Sequence, residues 1–186
     1  MKNFILLLKA TILFSFFLPN TALFGQCASE SNIYSFTYNG IQYEIVKENR
    51  TWGEAAACAA ERGGYLARID SMGENTAVFN AATLDAGITI SSTVAPDGGG
   101  ASYLWLGGTD RLAEGTWIWD GTDSGSGDQF WEGTSASTGG TSVGGLYNNW
   151  GDEPDDFGSG QDGLGLAITD WPLGTAGQWN DVATSN

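Results

Sequence analysis

The chain contains no histidine. That excludes histidine-based triads, imidazole general bases and most zinc sites. Basic residues are scarce, with 7 Lys and Arg against 22 Asp and Glu in 186 residues. A surface this acidic repels nucleic acid and anionic membranes. There are only two cysteines, Cys27 and Cys58. In an exported chain they are able to pair, but two cysteines define no disulfide framework. The longest apolar run, Phe4 to Leu18, is too short and wrongly flanked for a membrane span.

That run belongs instead to a secretory signal covering residues 1–26. Lys2 opens a short basic region, and Pro19 to Gln26 forms a small and polar cleavage region. Cleavage is expected near Gly25 or Gln26. Cys27 directly afterwards invites a lipoprotein reading, but Gln26 stands where a lipobox requires a small residue. The chain is therefore expected to be secreted or displayed at the cell surface. Without Lys2 and Lys9, 5 basic and 22 acidic residues remain, a formal charge of −17. The remaining length suits one domain, expected over 33–186.

Charge alone fits either solubility in salt or an affinity for cations. Its clustering is more informative. Tyr147 to Asp181 holds Asp152, Glu153, Asp155, Asp156, Asp162, Asn180 and Asp181 without one Lys or Arg. Oxygens at this density repel one another unless a cation sits among them. Carboxylate and amide oxygens are hard ligands, which suit Ca²⁺. Trp150, Phe157, Trp171 and Trp179 flank them. A cation beside an aromatic face suits a sugar, whose hydroxyls meet the metal and whose apolar face meets the ring. The plainer reading is a solvated turn, since turns use the same residue types.

Upstream, Tyr34 to Lys47 alternates aromatic and β-branched residues about Asn39-Gly40, a hairpin signal. Thr51 and Glu54 form a capping box opening a helix over Trp52 to Arg62, which ends at Gly63-Gly64. A short strand is expected over Tyr65 to Ile69. Ser71 and Glu74 open a second helix from Met72 to Thr83, with Val78, Phe79 and Ala82 on one face. Asp85 to Ser102 reads as an insertion with a flexible tip at Asp97 to Gly100. Tyr103 to Gly107 and Thr116 to Trp119 read as strands. Gly121 to Gly145 reads as a long loop anchored by Gln129 to Glu132. Two last strands follow, Gly165 to Thr169 and Gln178 to Val182. Helices first and short strands later indicate an α+β domain. Trp105, Trp117, Trp119 and Trp150 are expected in the core, Trp179 beneath the acidic region, and Phe157 exposed.

Several segments resemble one family in its own order, from Tyr34 to the end. Glu153-Pro154-Asp155, Gly158 to Asp162 and Trp179-Asn180-Asp181 resemble the sugar-binding loop and strand of C-type lectin domains. Leu104 to Gly108 resembles the family's "WIGL" strand, and Glu114 to Trp119 the strand after it. Thr51 to Ala55 and Gly64 to Ala67 resemble its first helix and the turn leaving it. The resemblance implies a C-type-lectin-like α+β fold and a cis Glu153-Pro154 bond. It implies Ca²⁺ held by Glu153, Asp155, Gln161, Asn180 and Asp181, with the Asp181 carbonyl a further ligand. A second ion would lie at Asp156 and Asp162. Sugar contacts would come from Glu153, Asp155, Phe157 and Asn180.

The sequence departs from that family in places. Glu153 with Asp155 is a hybrid of the mannose-type and galactose-type patterns, and Gln161 replaces a Glu ligand. Two family cysteines are absent. Phe157, near an aromatic of galactose-type members, tilts the expectation towards galactose-like sugars. The family also continues into a final strand carrying a partner for the cysteine of helix one. On that ground the chain is expected to lack this strand, leaving Cys58 either an orphan or simply a small buried residue.

Catalysis is not expected. Gly140 to Gly144 fits a hydrolase nucleophile pattern, but it lies in a glycine-rich loop and no histidine exists to serve it. Glu153 and Asp155 sharing a metal would both stay ionised, leaving no proton donor for glycoside hydrolysis. Asn49-Arg50-Thr51 is a glycosylation sequon. Two readings remain: a calcium-dependent carbohydrate-binding module, or the same fold used for adhesion to a protein ligand through 85–102 and the Gly/Ser-rich loop.

Overall fold

The computed structural model describes residues 27–92, 94–158 and 160–186. The expected signal segment lies outside them, as does Ser159 of the acidic loop. Strand β1 (Ile33–Tyr38) pairs antiparallel with β2 (Ile41–Val46) in a separate two-stranded sheet. Asn39 and Gly40 both take positive φ, 47° and 81°, the geometry of a two-residue hairpin turn. Helix α1 (Trp52–Glu61) begins with the complete Thr51–Glu54 capping box and ends at Gly63, φ 82°. Helix α2 (Met72–Asn80) follows.

A six-stranded antiparallel sheet builds the rest. Its members are β3 (Tyr103–Thr109), β4 (Thr116–Trp119), β5 (Gln129–Glu132), β6 (Thr141–Ser142), β7 (Gly163–Ala167) and β8 (Trp179–Val182). Their order is β6-β5-β4-β3-β7-β8. The expected α+β class is thus realised. Among the described residues no helix is long and apolar enough to cross a membrane.

Three local expectations are corrected. Tyr65 to Ile69 forms no strand. Leu66 N–H bonds Gly121 carbonyl at 3.0 Å, while Gly107 N–H bonds Ala67 carbonyl at 2.8 Å. The segment therefore crosses two strand ends instead of pairing along one. A Cβ at Gly107 or Gly121 would meet the Leu66 carbonyl oxygen at 2.5 or 2.2 Å, so glycine permits that crossing. The second helix stops being α-helical at Asn80 and closes through a wider turn over Ala81–Asp85, with Ala86 N–H reaching Ala81 carbonyl at 2.8 Å. The stretch from Gly121 to Gly145 supplies β5 and β6. Its Gln129 to Glu132 anchor is a sheet strand, with Phe130 fully buried and Trp131 nearly so.

Aromatic rings fill the core against this sheet. Trp119 stacks on Phe130 with centroids 4.4 Å apart, and Trp117 meets Trp150 edge-on at 4.9 Å. Trp105 is only half-buried, its indole N–H donating to Arg50 carbonyl at 2.8 Å. The α1 face packs through Trp52 and Ala56, both 1% exposed, and Trp52 Nε1 donates to Leu106 carbonyl at 2.9 Å. Cys27 and Cys58 form a disulfide, so pairing is the alternative realised and Cys58 is no orphan. Such a bond suits an oxidising compartment.

Because Phe130 lies at the centre of this packing, Phe130→Ala should destabilise the domain by about 3–5 kcal/mol. Urea unfolding measures it. A loss below about 1 kcal/mol would return Gln129 to Glu132 to the status of a surface loop.

Candidate metal and ligand site

Strand β8 carries three consecutive residues that link core to site. Trp179 is fully buried, and its Nε1 donates to Asn75 Oδ1 of α2 at 2.7 Å. Asn75 Nδ2 in turn donates to Gly177 carbonyl at 2.8 Å. The helix thereby clamps the entry to β8 and sets where Asn180 and Asp181 stand. Glu153 arrives from the loop before β7, through a cis Glu153-Pro154 peptide bond, as the resemblance implied. Asp181 Oδ2 accepts the backbone N–H groups of Asp155 and Asp156, at 3.1 and 2.8 Å. This knits the loop to the strand.

The result is a cluster. Carboxylate oxygens of Glu153, Asp155 and Asp181 all lie within 4.8 Å of one another. Glu153 and Asp181 are 3% and 1% exposed, while Asp155 is exposed. Burial, with Asp181 and Asp155 adding repulsion, pushes the Glu153 carboxyl up to about 8 although Trp171 Nε1 donates to it at 3.0 Å. Burial likewise raises Asp181 to about 7. Glu153 Oε2, Asn180 Oδ1 and Asp181 Oδ1 are buried and have no hydrogen-bond partner among the described residues. Buried acceptors without donors are costly unless a cation satisfies them. Their chemistry fits a hard divalent ion such as Ca²⁺.

The other expected residues fall as follows. Gln161 is 4% exposed and bonded at both ends: Oε1 accepts from Phe157 N–H at 2.6 Å and Nε2 donates to Asp97 carbonyl at 3.0 Å. It holds the loop in shape. Asp97 to Gly100 is correspondingly no flexible tip. Asp97 Oδ2 accepts Ala183 N–H at 2.8 Å, and Gly100 N–H bonds Ala95 carbonyl at 3.1 Å. Phe157 is 69% exposed, as expected. Asp156, with φ 49°, turns its carboxylate onto Gly160 N–H at 2.5 Å and Gln161 N–H at 3.2 Å.

Asp162 belongs to a second cluster that sequence reasoning missed, with Asp110 and Glu114. Asp110 is 3% exposed and its Oδ1 has no hydrogen-bond partner among the described residues. Burial, then Glu114 and Asp162, raise it to about 8. Burial and the Asp156 charge raise both Glu114 and Asp162. Of the expected pair of Asp156 and Asp162, only Asp162 joins this cluster; Asp156 acts on it as a neighbouring charge. Asp110 and Glu114 bracket the turn between β3 and β4, and nothing in the local sequence marks either as a site residue.

Tyr103 was also missed as a support, while Trp171, expected to flank the acidic residues, does so. Asn180 Nδ2 donates to the Tyr103 hydroxyl at 2.7 Å, and their rings, Tyr103 and Trp171, meet edge-on at 6.2 Å. Gly174 makes room for the Trp171 indole, since a Cβ there would come within 2.2 Å of it.

No family model matches this chain, and no curated protein does. Among solved structures it is similar to the mouse scavenger receptor C-type lectin carbohydrate-recognition domain, with a TM-score of 0.51 and 19% sequence identity. The match covers 82% of this chain and 86% of that one. The chain has the C-type-lectin-like fold.

The raised carboxyls give a signed pH dependence. The folded chain keeps protons on Glu153 and Asp181 that the unfolded chain releases near its ordinary carboxylate range of about 4. Without added cation, stability should fall as pH rises from about 5 to 8. Calcium competes with those protons, so its stabilisation should grow over the same range. Melting temperatures with chelator and with millimolar calcium measure both. A calcium increment that is equal at both ends of the range would refute the link.

Proposed function

We propose that this chain is an exported, calcium-dependent carbohydrate-binding module. The observation that carries this reading is the set of three buried, unpartnered oxygens at a cluster of three carboxylates, with the exposed Phe157 tied by its backbone N–H to Asp155. It stands on a fold shared with a carbohydrate-recognition domain. Glu153, Asp155, Asn180 and Asp181 hold the ion, and Gln161 assists by fixing the loop. A bound calcium ion supplies coordination for two vicinal hydroxyls of a sugar. The carboxylates accept the hydroxyl protons, and Phe157 offers its ring to the apolar face of the pyranose.

That ring contact contributes about 0.5–1.5 kcal/mol and favours galactose-like sugars. Affinity for a single sugar is low, because the hydroxyls leave water to bind at a small exposed site. Several copies acting together raise it. A second ion would be held by Asp110, Glu114 and Asp162, with the Asp156 charge beside it, and would tie the turn between β3 and β4 to the loop before β7. Secretion or surface display follows from the signal segment and agrees with the disulfide.

Double replacement of Glu153 and Asp155 by Ala should abolish retention on galactose-agarose and mannose-agarose in calcium. It should also reduce the calcium-induced rise in melting temperature. The rise left by the second cluster serves as an internal control for folding. Undiminished retention would defeat the assignment.

A further inference from the structure

Within the cluster, hydrogen-bond donors and acceptors are not evenly presented to solvent. Glu153, Gln161, Asn180 and Asp181 are 3%, 4%, 2% and 1% exposed, and Asp155 alone is open. The two side-chain amides are engaged inwards. Asn180 Nδ2 donates to the Tyr103 hydroxyl at 2.7 Å, and that hydroxyl donates onward to Gly98 carbonyl at 2.7 Å. Gln161 Nε2 donates to Asp97 carbonyl at 3.0 Å. Among the described residues of the cluster, what is left for a ligand is therefore oxygen: the exposed Asp155 carboxylate and the buried, unpartnered Glu153 Oε2, Asn180 Oδ1 and Asp181 Oδ1.

This uniformity matters for a ligand with two adjacent hydroxyls. A site pairing a donor with an acceptor fixes which hydroxyl gives and which takes, and so reads the diol in one direction. A carboxylate only accepts. Faced with acceptors alone, both hydroxyls give, and the diol fits either way round. Charge adds a second filter. Three carboxylates outweigh one divalent ion, so the loaded site stays negative and repels an anionic ligand.

We infer that this site, on the sugar-binding reading above, recognises a neutral vicinal diol as a double proton donor. It does not sort hexoses by configuration at those carbons, and it rejects acidic sugars. Tyr103 acts as a positioning residue by holding the Asn180 amide out of the recognition face. Preference between neutral hexoses then comes from Phe157 alone.

The test uses methyl galactoside, methyl mannoside and methyl galacturonide as competitors for calcium-dependent retention on galactose-agarose. Wild type, Phe157→Ala and Tyr103→Phe are compared, with the calcium-induced melting shift read on the same samples. In Phe157→Ala the two neutral glycosides should compete within about twofold, and the uronide should be at least about tenfold weaker than either. Tyr103→Phe, which frees the amide, should widen the gap between the neutral pair while keeping the calcium shift. A gap of about tenfold between the neutral glycosides that survives Phe157→Ala overturns the inference, as does a uronide that competes as well as the galactoside. If calcium raises the melting temperature but no neutral glycoside competes, the sugar-binding reading itself falls and takes this inference with it.

Discussion

The buried indole of Trp179 is where the hydrophobic core and the carboxylate cluster meet. Its ring packs edge-on against Trp119, Tyr147 and Trp150. Its N–H is fixed on Asn75, and the next two residues of the same strand are Asn180 and Asp181. Burial of this kind is worth about 1.5–3 kcal/mol per large apolar side chain. It offsets what the neighbouring acidic groups cost. A cluster of carboxylates pressed into low dielectric would otherwise push its strands apart. The rigid aromatic floor allows those groups to be held a few ångströms apart with oxygens unpaired, a geometry of the kind a cation site requires.

Loop and strand contribute to that frame in different ways. The strand supplies position, through the ladder pairing of β8 with β7. The loop supplies carboxylates, tied down by Asp181 through backbone N–H groups and by Gln161 through both ends of its amide. Gln161 is thus a structural strut first, whatever its oxygen also offers an ion. Asp156 works similarly, its carboxylate closing the turn it begins.

Much of this was legible in the sequence where local chemistry decides structure. Asn39-Gly40 forces a hairpin, Thr51 and Glu54 cap a helix, and Trp179-Asn180-Asp181 announces the strand of the site. What stayed hidden depends on distant partners. Tyr65 to Ile69 alternates like a strand, but two glycines elsewhere let it cross rather than pair. Gln129 to Glu132 is too short to signal a strand without its neighbour β4. Nothing local marks Asp110 and Glu114 as site residues; only the fold brings Asp162, far along the chain, beside them. Tyr103 reads as a strand aromatic because nothing local reveals that its hydroxyl meets Asn180. Among the cysteines, pairing became decidable only once Cys27 was placed against α1.

The fastening of Asp97 has a consequence for how this molecule tolerates change. Its carbonyl and carboxylate reach Gln161, Ala183 and Asn186, so one residue of the 85–102 segment is stitched to the site loop and to the chain beyond β8. Upstream in the same segment Ile88 and Ala95 are buried, while Ile90 and Val94 are exposed. A change at Asp97 would therefore reach the acidic loop and the chain after β8 at once, so one residue far from the cluster in sequence couples the two sides of its frame.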